Sequence, residues 1–218
     1  MDKQRNTTAK KTVGAVSRHE SAKTKCLESE KEKEVCLGLD ISTTTIGVVL
    51  LDRHTGDLRL LDSIKLASTI GLFDKADKAI EKLIELTAGH KVAEVFVEEN
   101  AKMFAAGGST ADTILTLAKM NGLVSYLVYK QYGCKVHNIN VTSARKAVGF
   151  INTKSDKRKV KEKVFEFVTD KHPEFPWRTH TAKTGSFKGQ EVYDADMKDA
   201  CDAWVICRGG MRLMLNVS

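Results

Sequence analysis

Residues 36–52 read CLGLDISTTTIGVVLLD. An apolar run ends in one carboxylate, Asp40, a cluster of Ser and Thr follows, and a second apolar run starts at Ile46. This is the pattern of two strands joined by a tight polar turn. A buried strand gains nothing from an unpaired carboxylate, because removing that charge from water is costly. Asp40 therefore either caps the turn or faces something positive.

The neighbouring sequence extends the hairpin. RHTG at 53–56 is turn chemistry, and 57–66 alternates enough for a third strand, giving an antiparallel meander. Apolar residues at 73, 76, 80, 83, 84 and 86 have a helical period. VAEVFV at 92–97 is a fourth strand, and AAGGS at 105–109 is a loop. Ser109 or Thr110 then caps a long helix running to about 132. Its apolar residues fall on two faces, with Ile114, Leu117, Val124 and Val128 on one and Leu115, Met120, Leu123 and Leu127 on the other. That arc is wider than one packed face needs, so the helix is either central to the core or buries a second face in a dimer. Residues 134–139 form a fifth strand, and 142–149 and 156–170 are helices. Residues 172–193 form a polar loop containing Trp177, Arg178, Lys183 and Lys188, and a last helix spans 194–207. Three hairpin-linked strands followed by alternating helices and strands predict an α/β fold with a five-stranded mixed sheet flanked by helices.

Composition sets the boundaries. The chain has 218 residues, enough for one domain with a tail. Residues 1–25 carry seven Lys/Arg and two Asp/Glu, whereas the other 193 residues carry 28 and 26. Residues 1–34 are short of large apolar side chains and are expected to be a disordered basic tail, either solubilising or a nucleic-acid arm. The domain is expected over 35–218. No run of 18 apolar residues and no apolar leader core occur, so neither a membrane span nor secretion is expected. Five Cys (26, 36, 134, 201 and 207) lack ligand spacing and read as reduced thiols of a cytosol-like or nucleoid-type compartment.

Carboxylates recur beside apolar runs. Asp40 ends the first strand, Glu98 and Glu99 follow VFV, and Asp199 and Asp202 lie three apart in DMKDACDAWVIC, on one helix face. Taken singly, each is an ordinary cap, strand edge or solvated face. Taken together, and if strands one and four are neighbours, they converge. Such an oxygen-rich cluster suits Mg²⁺ or Mn²⁺. Two ions about 4 Å apart there could activate water and stabilise a leaving oxygen in phosphodiester cleavage.

The order Asp, Glu, then Asp-x-x-Asp-Ala resembles the RuvC-type Holliday junction resolvases of the ribonuclease H-like superfamily, and phage or viral members in particular. GLDISTTTIGVVLLD, VFVEENAKMFAAGGSTADTILTLAKMNG, VTSARKAVGF and DACDAW carry the likeness over about residues 35–207. The resemblance implies a homodimer, joined through the helix at about 110–132, that makes paired nicks in branched DNA. It implies Asp40, Glu98, Asp199 and Asp202 as catalytic metal ligands, with Asp202 or its neighbour orienting the attacking water. Glu98 is preferred to Glu99 because it directly follows VFV and strand alternation allows only one inward. Met103 or Phe104 would match the family's junction-stacking aromatic. KSDKRKVKEK at 154–163 supplies candidate phosphate contacts in Lys154, Lys157, Arg158 and Lys159, with Arg145 and Lys146 as further candidates. Other substrates fit the same acids: an RNA–DNA hybrid, a flap or structured RNA. The opening stretch also resembles the first phosphate loop of actin-like and sugar-kinase ATPases, although Ser42 stands where that loop has Gly. A non-catalytic DNA-binding module on the same fold is a further alternative.

Overall fold

The computed structural model describes residues 33–99, 110–153 and 155–214. Three strands open the fold: β1 (Lys33–Ile41), β2 (Thr45–Asp52) and β3 (Leu58–Lys65). Helix α1 (Leu72–Leu86), β4 (His90–Glu98), α2 (Ala111–Tyr132), β5 (Lys135–Ile139), α3 (Val141–Val148) and α4 (Val160–Lys171) follow. A short hairpin, β6 (Thr179–Thr181) and β7 (Glu191–Tyr193), precedes the last helix, α5 (Met197–Met214). The main sheet has the order β3-β2-β1-β4-β5. The meander β1–β2–β3 is antiparallel, whereas β4 pairs in parallel with both β1 and β5.

Helices cover both faces of this sheet, which explains why its central strands are apolar throughout. Val35, Leu37 and Leu39 of β1 face α1 and α2 and pack with Ala79, Leu83, Val124 and Val128. Cys36 points to the other face, where Phe96 packs among residues of α3, α4 and α5. Alternation then puts Gly38 and Asp40 on the α5 face as well. Helix α5 lies unusually close there. A Cβ on Gly47 would stand 2.0 Å from the Asp199 carbonyl oxygen, and one on Gly38 would stand 2.4 Å from Cys207 Cβ. Further along α5, a Cβ on Gly209 would meet the Ala144 backbone, and one on Gly210 the Phe96 ring.

The structure moves several expected boundaries. Lys33 and Glu34 belong to β1, not to a tail, because Glu34 bonds Arg53 at 2.8 Å and Lys91 at 2.9 Å. Helix α4 starts at 160, not 156: Asp156 accepts from the Arg158 N–H, and Lys163 Nζ donates to the Asp156 carbonyl, fixing a non-helical entry. Helix α5 runs on to Met214, because Gly209 and Gly210 let it pass α3 and β4. The expected polar loop at 172–193 contains β6 and β7. These strands are only three residues each and nearly all exposed, so no apolar alternation marked them. Residues 1–32 lie outside the described residues. No helix among the described residues is long and apolar enough to cross a membrane.

The close seating of α5 is testable. Gly47→Ala should lower unfolding free energy by about 2 kcal/mol through overpacking, read by urea denaturation. A midpoint unchanged from wild type would show that α5 can yield there.

Candidate active site

The strand register builds the first half of the site. Leu39 pairs with Val97, so Asp40 and Glu98 end neighbouring parallel strands on the α5 face. The two carboxyl groups are close enough to act on each other electrostatically. Glu99 has left the ladder, although its N–H still donates to the Ile139 carbonyl at 2.9 Å. Asn121, buried in α2, donates from Nδ2 to the Glu98 carbonyl at 3.0 Å and pins this end of β4.

Helix α5 brings the second half. Its first turns place Asp199 and the buried Asp202 against the same strand ends, and both add their fields to that of Asp40. The start of the helix is anchored by Asp196, which points elsewhere. It accepts from Ser63 Oγ at 2.5 Å and pairs with Arg178 at 2.9 Å and Lys65 at 3.3 Å. Burial works against this charge, but Ser63, Arg178 and Lys65 outweigh it and hold Asp196 below the ordinary carboxylate value.

Two cations border the acids. Lys161, in the first turn of α4, hydrogen-bonds Asp199 and lies 3.8 Å from Asp202. Arg145 of α3 lies 3.7 Å from Asp202. Asn140 orients α3 by capping it, its Oδ1 accepting from the N–H groups of Thr142 and Ser143 at 3.1 Å each. The cations do not balance the cluster. Burial, then Asp202, Glu98 and Asp199, push Asp40 well above the usual carboxylate range. Burial likewise raises Glu98 against the pull of Arg145. Burial pushes Asp202 up to about 6 although Lys161 and Arg145 pull the other way. Burial opposes the charge of Lys161, but Asp199, Asp202 and Asp40 raise its pKa overall.

This chemistry fits a divalent cation. The donors are hard oxygens, mutually repelling and under-neutralised, and Asp202 Oδ1 is buried without a hydrogen-bond partner. Among the described residues, no three acidic, His or Cys groups already stand at ligand spacing, and Lys161 holds two of the four acids.

The basic run at 154–163 divides by role. Lys157, Arg158 and Lys159 are exposed, and Arg158 is paired with Asp156 and Glu166 at 2.8 and 2.9 Å. Lys163 is buried and bonds Asn152 at 2.7 Å. Lys161, not singled out by sequence reasoning, is the residue of this run that reaches the acids. No local signal separates it from its neighbours; only the start of α4 at 160 does. Lys146 is exposed beside Arg145, on a cleft of about 400 Å³ lined also by Phe150 and Ile151. Met103, Phe104 and Lys154 lie outside the described residues. The Ser/Thr cluster after Asp40 closes on itself: Ser42 Oγ accepts from the Thr44 and Thr45 N–H groups at 3.3 and 3.0 Å. Those donors are therefore not turned toward a phosphate, as an ATPase loop requires.

Comparison with known proteins adds one result. No family model and no curated protein matches the sequence. Among solved structures, Thermus thermophilus RuvC bound to Holliday junction substrate aligns with TM-score 0.55 and 13% identity, over 83% of this chain and 96% of that one. The fold is that of the RuvC resolvases. A second Thermus thermophilus RuvC structure aligns at TM-score 0.52 and 14% identity, over 82% and 96% of the two chains. The yeast mitochondrial Holliday junction resolvase aligns at 0.52 and 13%, over 92% and 87%. The sheet order and its flanking helices are thus those of a RuvC-like, ribonuclease H-type α/β domain.

The raised carboxyls make stability depend on pH. A folded-state pKa near 6 against 3.8 unfolded means that the native state holds the Asp202 proton more tightly. Its ionisation therefore removes stability as pH rises from about 4 to about 6. Asp202→Asn should raise stability in metal-free buffer at pH 7 by about 3 kcal/mol, and the gain should vanish below pH 4. Thermal unfolding with chelator across that range checks it; a destabilised variant at pH 7 would contradict it.

Proposed function

We propose that this chain is a divalent-metal-dependent, structure-selective endodeoxyribonuclease that resolves four-way DNA junctions by paired nicks. The observation that carries the reading is the gathering of Asp40, Glu98, Asp199 and Asp202 from β1, β4 and α5 at one end of the sheet. The fold it shares with solved resolvases supports the choice of substrate class.

Asp40, Glu98, Asp199 and Asp202 would hold the Mg²⁺ or Mn²⁺. The ions would supply Lewis-acid activation of water and charge neutralisation at the scissile phosphate. The chain's own residues do the rest. Asn121 and the β1–β4 register fix Asp40 and Glu98 in direction, and the glycine-permitted contact fixes α5 above them. Lys161 and Arg145 place two positive charges beside the acids, where a phosphate oxygen can meet them. Asp202, buried beside the other acids, is suited to orient a water. Exposed Lys146, Lys157 and Lys159 are placed to contact phosphates without reading sequence.

The homodimer belongs to the same proposal. Met120, Val124 and Val128 of α2 are buried in this chain's own core, whereas Leu115, Tyr126 and Tyr129 are 58, 60 and 54% exposed. With Lys119 and Gly122 they occupy positions 115, 119, 122, 126 and 129, a 4-3-4-3 spacing that forms one seam. Gly122 leaves open space in that seam for an approaching helix.

Asp40→Asn should abolish nicking of a labelled four-way junction in Mg²⁺ while leaving junction affinity within about twofold, since it removes a ligand and no phosphate contact. Linear duplex and an RNA–DNA hybrid serve as comparison substrates. Cleavage of the hybrid in preference to the junction would keep the acids and replace the substrate; wild-type nicking by the variant would sink the site. Tyr126→Glu should convert a dimer to a monomer by sedimentation and uncouple the paired nicks.

A further inference from the structure

The hairpin β6–β7 has no part in the acid cluster or in the core of the sheet, yet it is built with care. Arg178, just before β6, reaches Ser63 at 2.9 Å, Asp62 at 3.2 Å and Asp196 at 2.9 Å. Tyr193 of β7 packs edge-on against Phe165 and Trp177, and Trp177 Nε1 donates to the His172 carbonyl at 3.0 Å. Phe165 lies one turn of α4 from Lys161, so the stem of the hairpin packs on the helix that carries Lys161 to the acids.

The ladder continues beyond its two short strands. Ala182 N–H donates to Gln190 O at 2.9 Å and Gly189 N–H to Ala182 O at 2.8 Å. The tip is then closed by Lys188 N–H on Gly185 O and Gln190 N–H on Phe187 O. Gly185 and Gly189 adopt φ of +80° and +83°, which few other residues tolerate. This ordered tip displays Phe187, 59% exposed, between Lys183 and Lys188, also exposed. Neither lysine has an acidic partner among the described residues, and residues 182–190 contain no acid. A fixed backbone that holds a phenyl ring in water between two cations fits a ligand with flat aromatic faces and regular negative charge.

We propose that the β6–β7 hairpin is a nucleic-acid-binding arm. Phe187 stacks on an unpaired base near the acid cluster, and Lys183 and Lys188 hold the flanking phosphates. The six residue steps from Tyr193 to Phe187 reach at most about 20 Å in extended chain, so the arm engages the same substrate as the acids. The proposal rests on the nuclease reading for its substrate but not for its chemistry.

The test uses the full chain and a fluorescent four-way junction carrying 2-aminopurine at the branch point, where a base can be unstacked, in Ca²⁺ for binding and Mg²⁺ for cutting. Phe187→Ala should weaken binding about tenfold and abolish the 2-aminopurine response, and Phe187→Trp should restore both. Changing Lys183 and Lys188 together to Gln should flatten the log–log salt dependence by about 1.5. Neither change touches the stem, so circular dichroism and melting temperature should match wild type. Wild-type affinity and salt slope in both variants, with cutting intact, would overturn the arm and leave the nuclease standing. Binding without cutting by the wild type, weakened by Phe187→Ala, would support the arm and remove the nuclease. No DNA binding by the wild type would overturn both. A shift in oligomeric state with Phe187→Ala, at unchanged DNA affinity, would assign the tip to a protein contact and overturn it.

Discussion

Helix α5 rests on the sheet with its backbone nearly touching β2, and much else depends on that distance. Gly47 and Gly38 remove the side chains that would hold the helix off. The first turns of α5 then come within reach of the carboxylates that end β1 and β4. A lift of one methyl group's width would part Asp199 and Asp202 from Asp40 and Glu98. The rest of the helix secures the approach, with Gly209 on α3, Gly210 on Phe96, and Arg212 donating to the Ala147 carbonyl at 2.8 Å. Packing along the rest of α5 thus sets the geometry at the acids.

The same closeness has an energetic penalty. Burial, and after it the neighbouring carboxylates, raise Asp40 and Asp202, so the fold carries an unfavourable corner. The surroundings counter this with rigid parts. Asn121 fixes a backbone carbonyl, Asn140 caps α3, and Asp196 is bound by Ser63, Arg178 and Lys65. Each of these fixes a group next to a functional side chain and not that side chain itself.

Much of this was legible in the sequence. The five strands and the mixed sheet followed from apolar runs and turn residues, and alternation allowed only one of Glu98 and Glu99 inward; the side shared with Phe96 and α5 is seen only in the folded chain. The Asp-x-x-Asp spacing put Asp199 and Asp202 on one side of α5, with Asp196 directed elsewhere. Other features depended on distance in space. The two apolar sets assigned to α2 mix its core face with its exposed one: Met120 is buried with Val124 and Val128, whereas Leu115 is exposed. Lys161 looked like any lysine of a basic run until the start of α4 fixed its direction. The β6–β7 hairpin was invisible because it is held by aromatic residues outside its strands and by Arg178, not by alternation within them.

Lys161 has one more consequence. The chain brings its own positive charge to its most acidic point, so assembly of that corner does not have to wait for an ion from solution. An ion held there would have to displace an ammonium already bound to Asp199. That exchange favours doubly charged ions over sodium or potassium, which bring no more charge than the lysine they replace.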